Sequence, residues 1–260
     1  MRFTKLTGAG NDFILVERSA AKGSAKSLAR RLCLRRTSIG ADGLLVLTRL
    51  KGKTAAELEY YNADGSLAFC GNGTRAAAMW VYQAGWAKKS FKLKTREGDL
   101  DCRILSKNTA RVRLPDPKHF KLLTLNAEGK KFKVAAIDTG VPHAVVFVSD
   151  KALAALNVSR YGRALRRHPA FHPQGANANF AAVKSKTLHI RTYERGVEAE
   201  TLACGTGITA AALACGRPSP VKVVAKGGDG LTVFYKRVNG GFSDVWLEGP
   251  VRVIYEGETK

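Results

Sequence analysis

Two short segments place a cysteine at the head of nearly the same motif. They read CGNGTRAAA from Cys70 and CGTGITAAA from Cys204, so six of nine positions match across a spacing of 134 residues. The pattern predicts the end of a strand, then a tight glycine turn, then an alanine-rich helix, since glycine allows positive φ and close approach of the backbone. Unpaired N–H groups at a helix start bind anions and lower the pKa of a nearby thiol. Each motif therefore combines a reactive thiol with a carboxylate-binding position.

A matched pair of thiols suits one type of reaction better than the others. A zinc or thioredoxin-like site is disfavoured because the chain has no C-x-x-C and no closely spaced Cys/His pair. A Cys-His hydrolase would need only one motif. Inversion of a stereocentre, by contrast, needs a base on one face of a carbon and an acid on the other, with N–H donors for the developing negative charge. Cys33, Cys102 and Cys215 have no such motif, and we expect them to be buried small apolar residues.

The cysteine motifs belong to a repeat that covers the whole chain. Each half contains a strand–turn–strand segment, an amphipathic Arg-rich segment that predicts a helix, a second strand, and a polar turn before the cysteine. The matched segments are LTGAGNDFILV and IDTGVPHAVVFV, SAKSLARRLCLRR and KALAALNVSRYGRALRRH, GADGLLVL and GANANFAAV, and YYNADG and TYERGV. Duplication could also copy a scaffold without any chemistry, so the repeat alone does not prove a site.

Short strands around one or two helices in each half predict an α+β fold. We expect two similar pseudo-twofold lobes, each a mixed sheet wrapped around a central helix, with the active site in the cleft between them. The predicted lobes are residues 1–117 and 118–260, and the C-terminal tail is a candidate to pair with the first lobe. A linker is expected near Pro115–Gly129, where two prolines precede a Lys-rich stretch.

The composition is that of a globular protein with an unusually basic charge. The chain has 260 residues and a net charge of +22, and its Lys and Arg residues are spread along the whole length rather than concentrated in a stripe. We therefore do not expect nucleic acid as the main partner, although a basic anion-binding protein with purely structural lobes is the alternative from another class. Five scattered cysteines, no membrane-length apolar run and no secretory signal predict a cytoplasmic protein without a membrane partner.

Several motifs together resemble those of the diaminopimelate epimerase family of cofactor-independent amino-acid racemases. They are GAGNDF, NADGS followed by CGNGTR, the Pro-His turn, GANANF, and YERG followed by TLACGTG. The resemblance implies two mixed α/β lobes, a homodimer, and an enzyme that uses neither cofactor nor metal. It also implies an amino-acid substrate, with interconversion of LL- and meso-2,6-diaminopimelate by a thiolate/thiol pair, in the synthesis of lysine and peptidoglycan precursors.

The resemblance also assigns roles to individual residues. Cys70 and Cys204 match the two acid/base cysteines, and His143 and Glu194 match side chains that assist them. The implied substrate-binding residues are Asn11, Asn62, Gly71, Asn72, Asn177, Glu194, Arg195, Gly205 and Thr206.

Two positions depart from the family pattern. Val141 stands where many members have Asn, and Gly43 stands where many have Gln. Another cofactor-independent racemase or epimerase on the same scaffold therefore remains the alternative, while Arg195 favours a substrate with a distal carboxylate. The asparagines could also be ordinary turn residues, and Glu194-Arg195 could be a surface pair.

Overall fold

The computed structural model describes residues 1–259, which form two compact units. Unit 1 contains Met1–Arg113 together with the segment from Glu248 onward, and unit 2 contains Leu114–Leu247. The chain thus returns to its first unit at the end, where the last strand pairs in antiparallel fashion with the first. No helix among the described residues is long and apolar enough to span a membrane.

Unit 1 is a mixed sheet in the order β18-β1-β2-β3-β4-β6-β7-β8, and the short β5 pairs with β4. The β2–β3 and β4–β6 pairs are parallel, whereas the other pairs are antiparallel. The strands are β1 (Arg2–Gly8), β2 (Asn11–Glu17), β3 (Gly43–Arg49), β4 (Thr54–Asn62), β5 (Leu67–Ala68), β6 (Ser90–Thr95), β7 (Gly98–Ser106), β8 (Thr109–Arg113) and β18 (Arg252–Glu258).

The helix of the cysteine motif lies at the centre of this sheet. Helix α2 (Gly71–Gln83) contacts β1, β2, β3, β4, β7 and β8, and Ala76, Ala77 and Ala78 are fully buried. Glycines and alanines in the first half of the helix let strands approach it from several directions, so that this half is buried rather than amphipathic. The amphipathic helix α1 (Ala25–Leu32) covers the outside of β3 and β4.

Unit 2 repeats this construction. Its sheet runs β9-β10-β11-β12-β13-β15-β16, with the short β14 on β13, and the parallel pairs β11–β12 and β13–β15 occupy the same places as those of unit 1. The bounds are β9 (Lys118–Ala127), β10 (Lys130–Asp138), β11 (Pro142–Phe147), β12 (Asn177–Lys184), β13 (Thr187–Glu194), β14 (Ala199–Thr201), β15 (Val221–Ala225), β16 (Gly230–Val238) and β17 (Gly241–Pro250), which continues into unit 1. Helix α5 (Gly205–Ala214) contacts six of these strands, so the predicted α+β architecture with a central helix is confirmed.

Two local predictions were wrong. The expected linker near Pro115–Gly129 is mostly strand β9, which forms a hairpin with β10 through Glu128 and Gly129, both at positive φ. The lysines of β9 are exposed because β9 is the outer strand of the unit 2 sheet. This Lys-rich composition is also typical of a linker, which explains the wrong prediction. The single helix predicted from KALAALNVSRYGRALRRH is two, α3 (Asp150–Ala155) and α4 (Val158–Arg166). The break comes at Asn157, whose side chain accepts a hydrogen bond from the Arg160 N–H and caps α4.

Candidate active site

The two motif cysteines occupy the same position in their units, immediately before a central helix. Cys70 is the N-cap of α2 and Cys204 the N-cap of α5, and both have extended backbone, with φ/ψ of −140°/111° and −131°/110°. The Cys70 Sγ accepts a hydrogen bond from the Gly73 N–H at 3.3 Å, and the Cys204 Sγ lies 3.4 Å from the Thr206 Oγ1. Cys204 is buried and Cys70 is partly exposed. Each sulfur therefore lies beside the positive end of a helix dipole.

The glycines of the motifs act through their size and not through a special φ. None of the four lies at positive φ, so the predicted tight turn was wrong, and each helix begins directly after its cysteine. A Cβ added to Gly73 would come within 3.1 Å of the Leu45 Cδ2, and one added to Gly207 would overlap the Asn179 Oδ1. The first turn of α5 can therefore lie against its sheet only because Gly207 has no side chain, whereas the contact at Gly73 is tight but less restrictive.

The other three cysteines lie in different surroundings. Burial raises the pKa of the Cys33 thiol to about 12, and it raises the pKa of Cys102 and of Cys215 as well. Cys33 ends helix α1, and Cys215 ends α5 at the opposite end from Cys204. These three sulfurs are therefore protonated at neutral pH.

In unit 1, two of the predicted substrate-binding residues are joined in one chain of hydrogen bonds. Asn72 Nδ2 donates to Asn11 Oδ1 at 2.8 Å, and Arg75 Nη1 donates to Asn72 Oδ1 at 3.0 Å. Asn11 lies at the start of β2, and Asn72 follows Gly71 in the first turn of α2. Asn62 is the last residue of β4, and its Nδ2 donates to Ser66 Oγ at 2.9 Å. The structure thus brings Asn11 and Asn72 together next to the Cys70 helix.

A cluster of charged side chains, which was not predicted from the sequence, supports Asn11. Asp42 Oδ2 accepts a hydrogen bond from Asn11 Nδ2 at 2.9 Å, and Arg35 bridges Asp42 and Asp12 at 2.7 and 2.6 Å. Burial disfavours the ionised Asp12 carboxylate, but hydrogen bonds from Arg35 and Lys5 outweigh burial and hold its pKa below the usual value. The signal was present in the sequence, since both aspartates fall within the GAGNDF and GADG segments.

In unit 2, His143 and Asn177 lie side by side on the parallel strands β11 and β12. His143 is fully buried, and burial, with a smaller effect of the nearby Arg195 charge, lowers its pKa to about 3. Asn177 Oδ1 accepts a hydrogen bond from the Arg195 N–H at 2.7 Å. Thr139 Oγ1 donates to the Thr206 carbonyl at 3.0 Å and so ties the turn before β11 to the start of α5. Gly205, the first residue of α5, lies between Cys204 and the hydrogen-bonded Thr206 in the sequence.

Arg195 follows strand β13 and lies near the charged side chain of Arg166. Its side chain is half-buried, and burial followed by the nearby Arg166 charge lowers its pKa. Its Nη1 reaches the Gln174 carbonyl at 3.4 Å. Glu194 precedes it at the end of β13. A guanidinium ion always carries its charge in proteins, and the carboxylates of Asp138 and Glu198, the latter 2.8 Å from Arg166, partly offset the repulsion between the two arginines.

Neither of the two departures from the family pattern supplies a polar side chain. Gly43 begins β3, and a Cβ at this position would overlap the Tyr60 ring, which already fills the adjacent space. Val141 lies in the turn before β11, where its carbonyl accepts a hydrogen bond from the Thr139 N–H at 3.2 Å. Among the described residues, no group of three or more His, Cys, Asp and Glu side chains is arranged to hold a metal ion.

The amino-acid sequence matches one protein family over most of its length. The family model for diaminopimelate epimerase matches residues 3–119 and 135–240. The chain is 37% identical to a diaminopimelate epimerase of Hydrogenobaculum sp. (strain Y04AAS1), covering 99% of this chain and 98% of that one. It is 35% identical to that of Aquifex aeolicus (strain VF5), with 99% and 97% covered.

Solved structures with low sequence identity share the fold. The chain is similar to a probable proline racemase from Agrobacterium radiobacter K84, with a TM-score of 0.74 and 13% identity, covering 100% of this chain and 92% of that one. It is also similar to a PhzF-family phenazine biosynthesis protein of Bacillus anthracis, with a TM-score of 0.76, 13% identity and coverage of 100% and 99%.

Proposed function

The chain belongs to the diaminopimelate epimerase family of isomerases, and on that premise we propose that it interconverts LL- and meso-2,6-diaminopimelate without a cofactor. Cys70 and Cys204 are the two acid/base groups. The observation that carries the proposal is that two thiols occupy the N-caps of equivalent helices, while the remaining three cysteines have raised pKa values.

The reaction is a transfer of protons with no net change of oxidation state. One cysteine, as thiolate, removes the proton from a substrate Cα, and the electron pair of that C–H bond moves into the adjacent carboxylate. The other cysteine, as thiol, delivers its proton to the opposite face of the same carbon. Backbone N–H groups of the first helical turns, at Gly71, Asn72, Gly205 and Thr206, hydrogen-bond the charge that develops on the carboxylate.

The remaining polar groups orient a long substrate with a charged group at each end. Arg195 is suited to the distal carboxylate because it is half-buried and repelled by Arg166. The amides of Asn11, Asn62 and Asn177 can donate to carboxylates or accept from ammonium groups, and Glu194 can accept from an ammonium group.

A homodimer in the cytoplasm is part of the same proposal. Strand β18 carries three exposed apolar side chains, Val253, Ile254 and Tyr255, at the edge of unit 1. A second copy of the chain would remove them from water. Sedimentation equilibrium should give twice the chain mass, and replacing Tyr255 by Lys should give the monomer mass.

Exchange of the Cα proton tests the proposed reaction directly. The purified protein is incubated with LL-diaminopimelate in D2O, and deuterium at Cα is followed together with formation of the meso isomer. Cys70→Ser and Cys204→Ser should each lose nearly all epimerisation. Cys215→Ser is the matched control, because Cys215 ends the same helix that Cys204 begins, and it should retain activity.

A substrate analogue with a leaving group at Cβ separates the two thiols. Each single cysteine variant should eliminate the leaving group from one stereoisomer only, because elimination needs a base on one face and no acid on the other. Undiminished epimerisation in both variants would refute the two-thiol mechanism. Deuterium exchange at the Cα of another amino acid, with none at the Cα of diaminopimelate, would instead support a different racemase on this scaffold.

A further inference from the structure

Asn179 lies at the centre of a buried hydrogen-bond network in unit 2. The residue is fully buried on β12. One end of its amide faces the backbone carbonyls of Ala144 and Asn177 at 3.3 and 3.2 Å, and the other end accepts a hydrogen bond from Thr192 Oγ1 at 3.0 Å. Carbonyl oxygens can only accept hydrogen bonds, so the end that faces them must be the NH2 group. The orientation of this amide is therefore fixed by its partners.

The amide in turn determines where His143 carries its proton. The same NH2 group lies 3.0 Å from His143 Nδ1. A donor facing Nδ1 requires that this nitrogen be without a proton, and a neutral imidazole then carries its proton on Nε2. His143 Nε2 is buried and has no hydrogen-bond partner among the residues that the structure describes. A buried N–H group is thus available for an acceptor that arrives with the reaction.

This network lies against the helix that begins after Cys204. Gly207, in the first turn of α5, is so close to the Asn179 amide oxygen that a Cβ at Gly207 would overlap it. His143 is aligned with Asn177 across β11 and β12. The fixed amide therefore lies against the first turn of the helix that Cys204 caps, and the imidazole is hydrogen-bonded to that amide.

We propose that Asn179 is a positioning residue that holds His143 as its Nε2–H tautomer, so that His143 acts as a hydrogen-bond donor to an anionic atom and not as a proton acceptor. Thr192 takes part by fixing the Asn179 amide. The inference deepens the proposed function and rests on it, because the anion would be the substrate carboxylate or a cysteine thiolate. Burial keeps the imidazole neutral, since it lowers the pKa of His143 to about 3.

Nitrogen NMR of the full-length protein labelled with 15N-histidine tests the tautomer without any reference to activity. His143→Gln identifies the signal, and long-range proton–nitrogen correlations distinguish Nε2–H from Nδ1–H. The wild-type protein should show the Nε2–H pattern. An Nδ1–H pattern, or a ring protonated at both nitrogens at pH 7, would overturn the inference.

Variants of the supporting residues test the positioning role. Asn179→Asp replaces the donor by a carboxylate, so His143 should move its proton to Nδ1, and kcat should fall by ~100-fold, as for loss of one preorganised donor. Thr192→Val removes the hydroxyl that fixes the amide, whereas Thr192→Ser keeps it. We expect mixed tautomers and reduced kcat in Thr192→Val, and the wild-type pattern and rate in Thr192→Ser. An unchanged tautomer and rate in Thr192→Val, with equal thermal stability, would contradict the role of Thr192 and Asn179.

The acceptor can be identified in the same spectra. Addition of meso-diaminopimelate should shift the Nε2 proton if a substrate carboxylate is the acceptor, and Cys204→Ser should shift it if the Cys204 thiolate is. If neither shifts it, His143 is not a donor to these groups and the inference fails. The proposed function can fail separately: an Nε2–H tautomer in a protein that exchanges no diaminopimelate proton would refute the function and leave the tautomer assignment intact.

Discussion

Gly207→Ala and Gly73→Ala are the same substitution at equivalent positions of the two units, but the structure predicts different results. Both glycines lie in the first turn of a central helix, three residues after a cysteine. A new methyl group at Gly73 would meet the Leu45 Cδ2 at 3.1 Å, which a flexible side chain can accommodate by a small shift. At Gly207 the methyl group would overlap the Asn179 amide oxygen, which is held from both ends by hydrogen bonds.

The expected magnitudes follow from these contacts. Ala is favoured over Gly within a helix by about 1 kcal/mol. At Gly73 this gain offsets mild overpacking of about 1 kcal/mol, so stability should hardly change. At Gly207 overpacking of about 2 kcal/mol is joined by loss of at least one buried hydrogen bond worth roughly 1–2 kcal/mol. The net loss is about 2–3 kcal/mol, which for a chain of this size lowers Tm by roughly 4–12 °C.

Thermal unfolding followed by circular dichroism provides the assay. Gly207→Ala should unfold well below the wild type, and Gly73→Ala should unfold within a few degrees of it. The double variant Gly207→Ala/Asn179→Ala removes the overlapping atom and should recover part of the loss relative to the sum of the single variants. Equal Tm values for Gly73→Ala and Gly207→Ala would show that the close approach of α5 to Asn179 does not constrain the fold.

Three further predictions concern charge and reactivity. Asp42→Ala removes the acceptor that orients Asn11, so KM in steady-state epimerisation should rise ~10-fold or more, as expected for one hydrogen bond to a charged group, with a smaller change in kcat. Because the folded-state pKa of His143 is lowered to about 3, the unfolded chain binds a proton between pH 6.5 and 3 that the folded chain does not. Stability should therefore fall with falling pH in that window by up to about 1.4 kcal/mol per unit, and His143→Gln should flatten the slope in urea titrations. Iodoacetamide at pH 8, followed by mass spectrometry, should label Cys70 before Cys33.

The contrary outcomes are specific to each experiment. Glu59→Ala, which removes a carboxylate paired with Arg18 on the same unit, is the control for Asp42→Ala. An equal rise in KM in both variants would mean that charge and not the orientation of Asn11 matters. A pH slope unchanged in His143→Gln would assign the acid sensitivity to other groups, such as the partly exposed Asp12 carboxylate, whose pKa is also lowered. Preferential labelling of Cys33 would contradict its raised pKa.

The sequence was sufficient for the architecture because periodicity and duplication carry that information. The internal repeat predicted two similar sheets, each around a helix that starts at a cysteine, since alanines and glycines at matched positions allow close packing of a helix against strands. Strand β9 was mistaken for a linker because the exposed lysines of an edge strand have the same composition as a linker. The break at Asn157 was missed because the apolar spacing continued across a capping residue.

The site was predictable only in part, and the reason is geometric. Cys70, Cys204 and Asn11 stand in recognisable motifs. Asp42 and Arg35, which support Asn11, belong to other segments, and their contacts with the Asn11 segment form only when the chain is folded. Asn179 was passed over although it lies two residues from Asn177 on the same face of β12, because its partners Thr192 and Gly207 are on other elements and no motif in the sequence marks them. Only the packing of α5 against β12 shows that the Asn179 amide has no freedom to turn.

The pairing of β1 with β18 affects the order in which the two units can complete their sheets during synthesis. Strand β1 receives its neighbour β18 only after all of unit 2 has been synthesised, whereas unit 2 is contiguous. Unit 2 can therefore complete its sheet before unit 1 does. The two ends also meet, since the terminal ammonium of Met1 donates to the Thr259 carbonyl at 2.6 Å. A short peptide could join Met1 to Thr259, and opening the chain between β8 and β9 would then give each unit an uninterrupted chain.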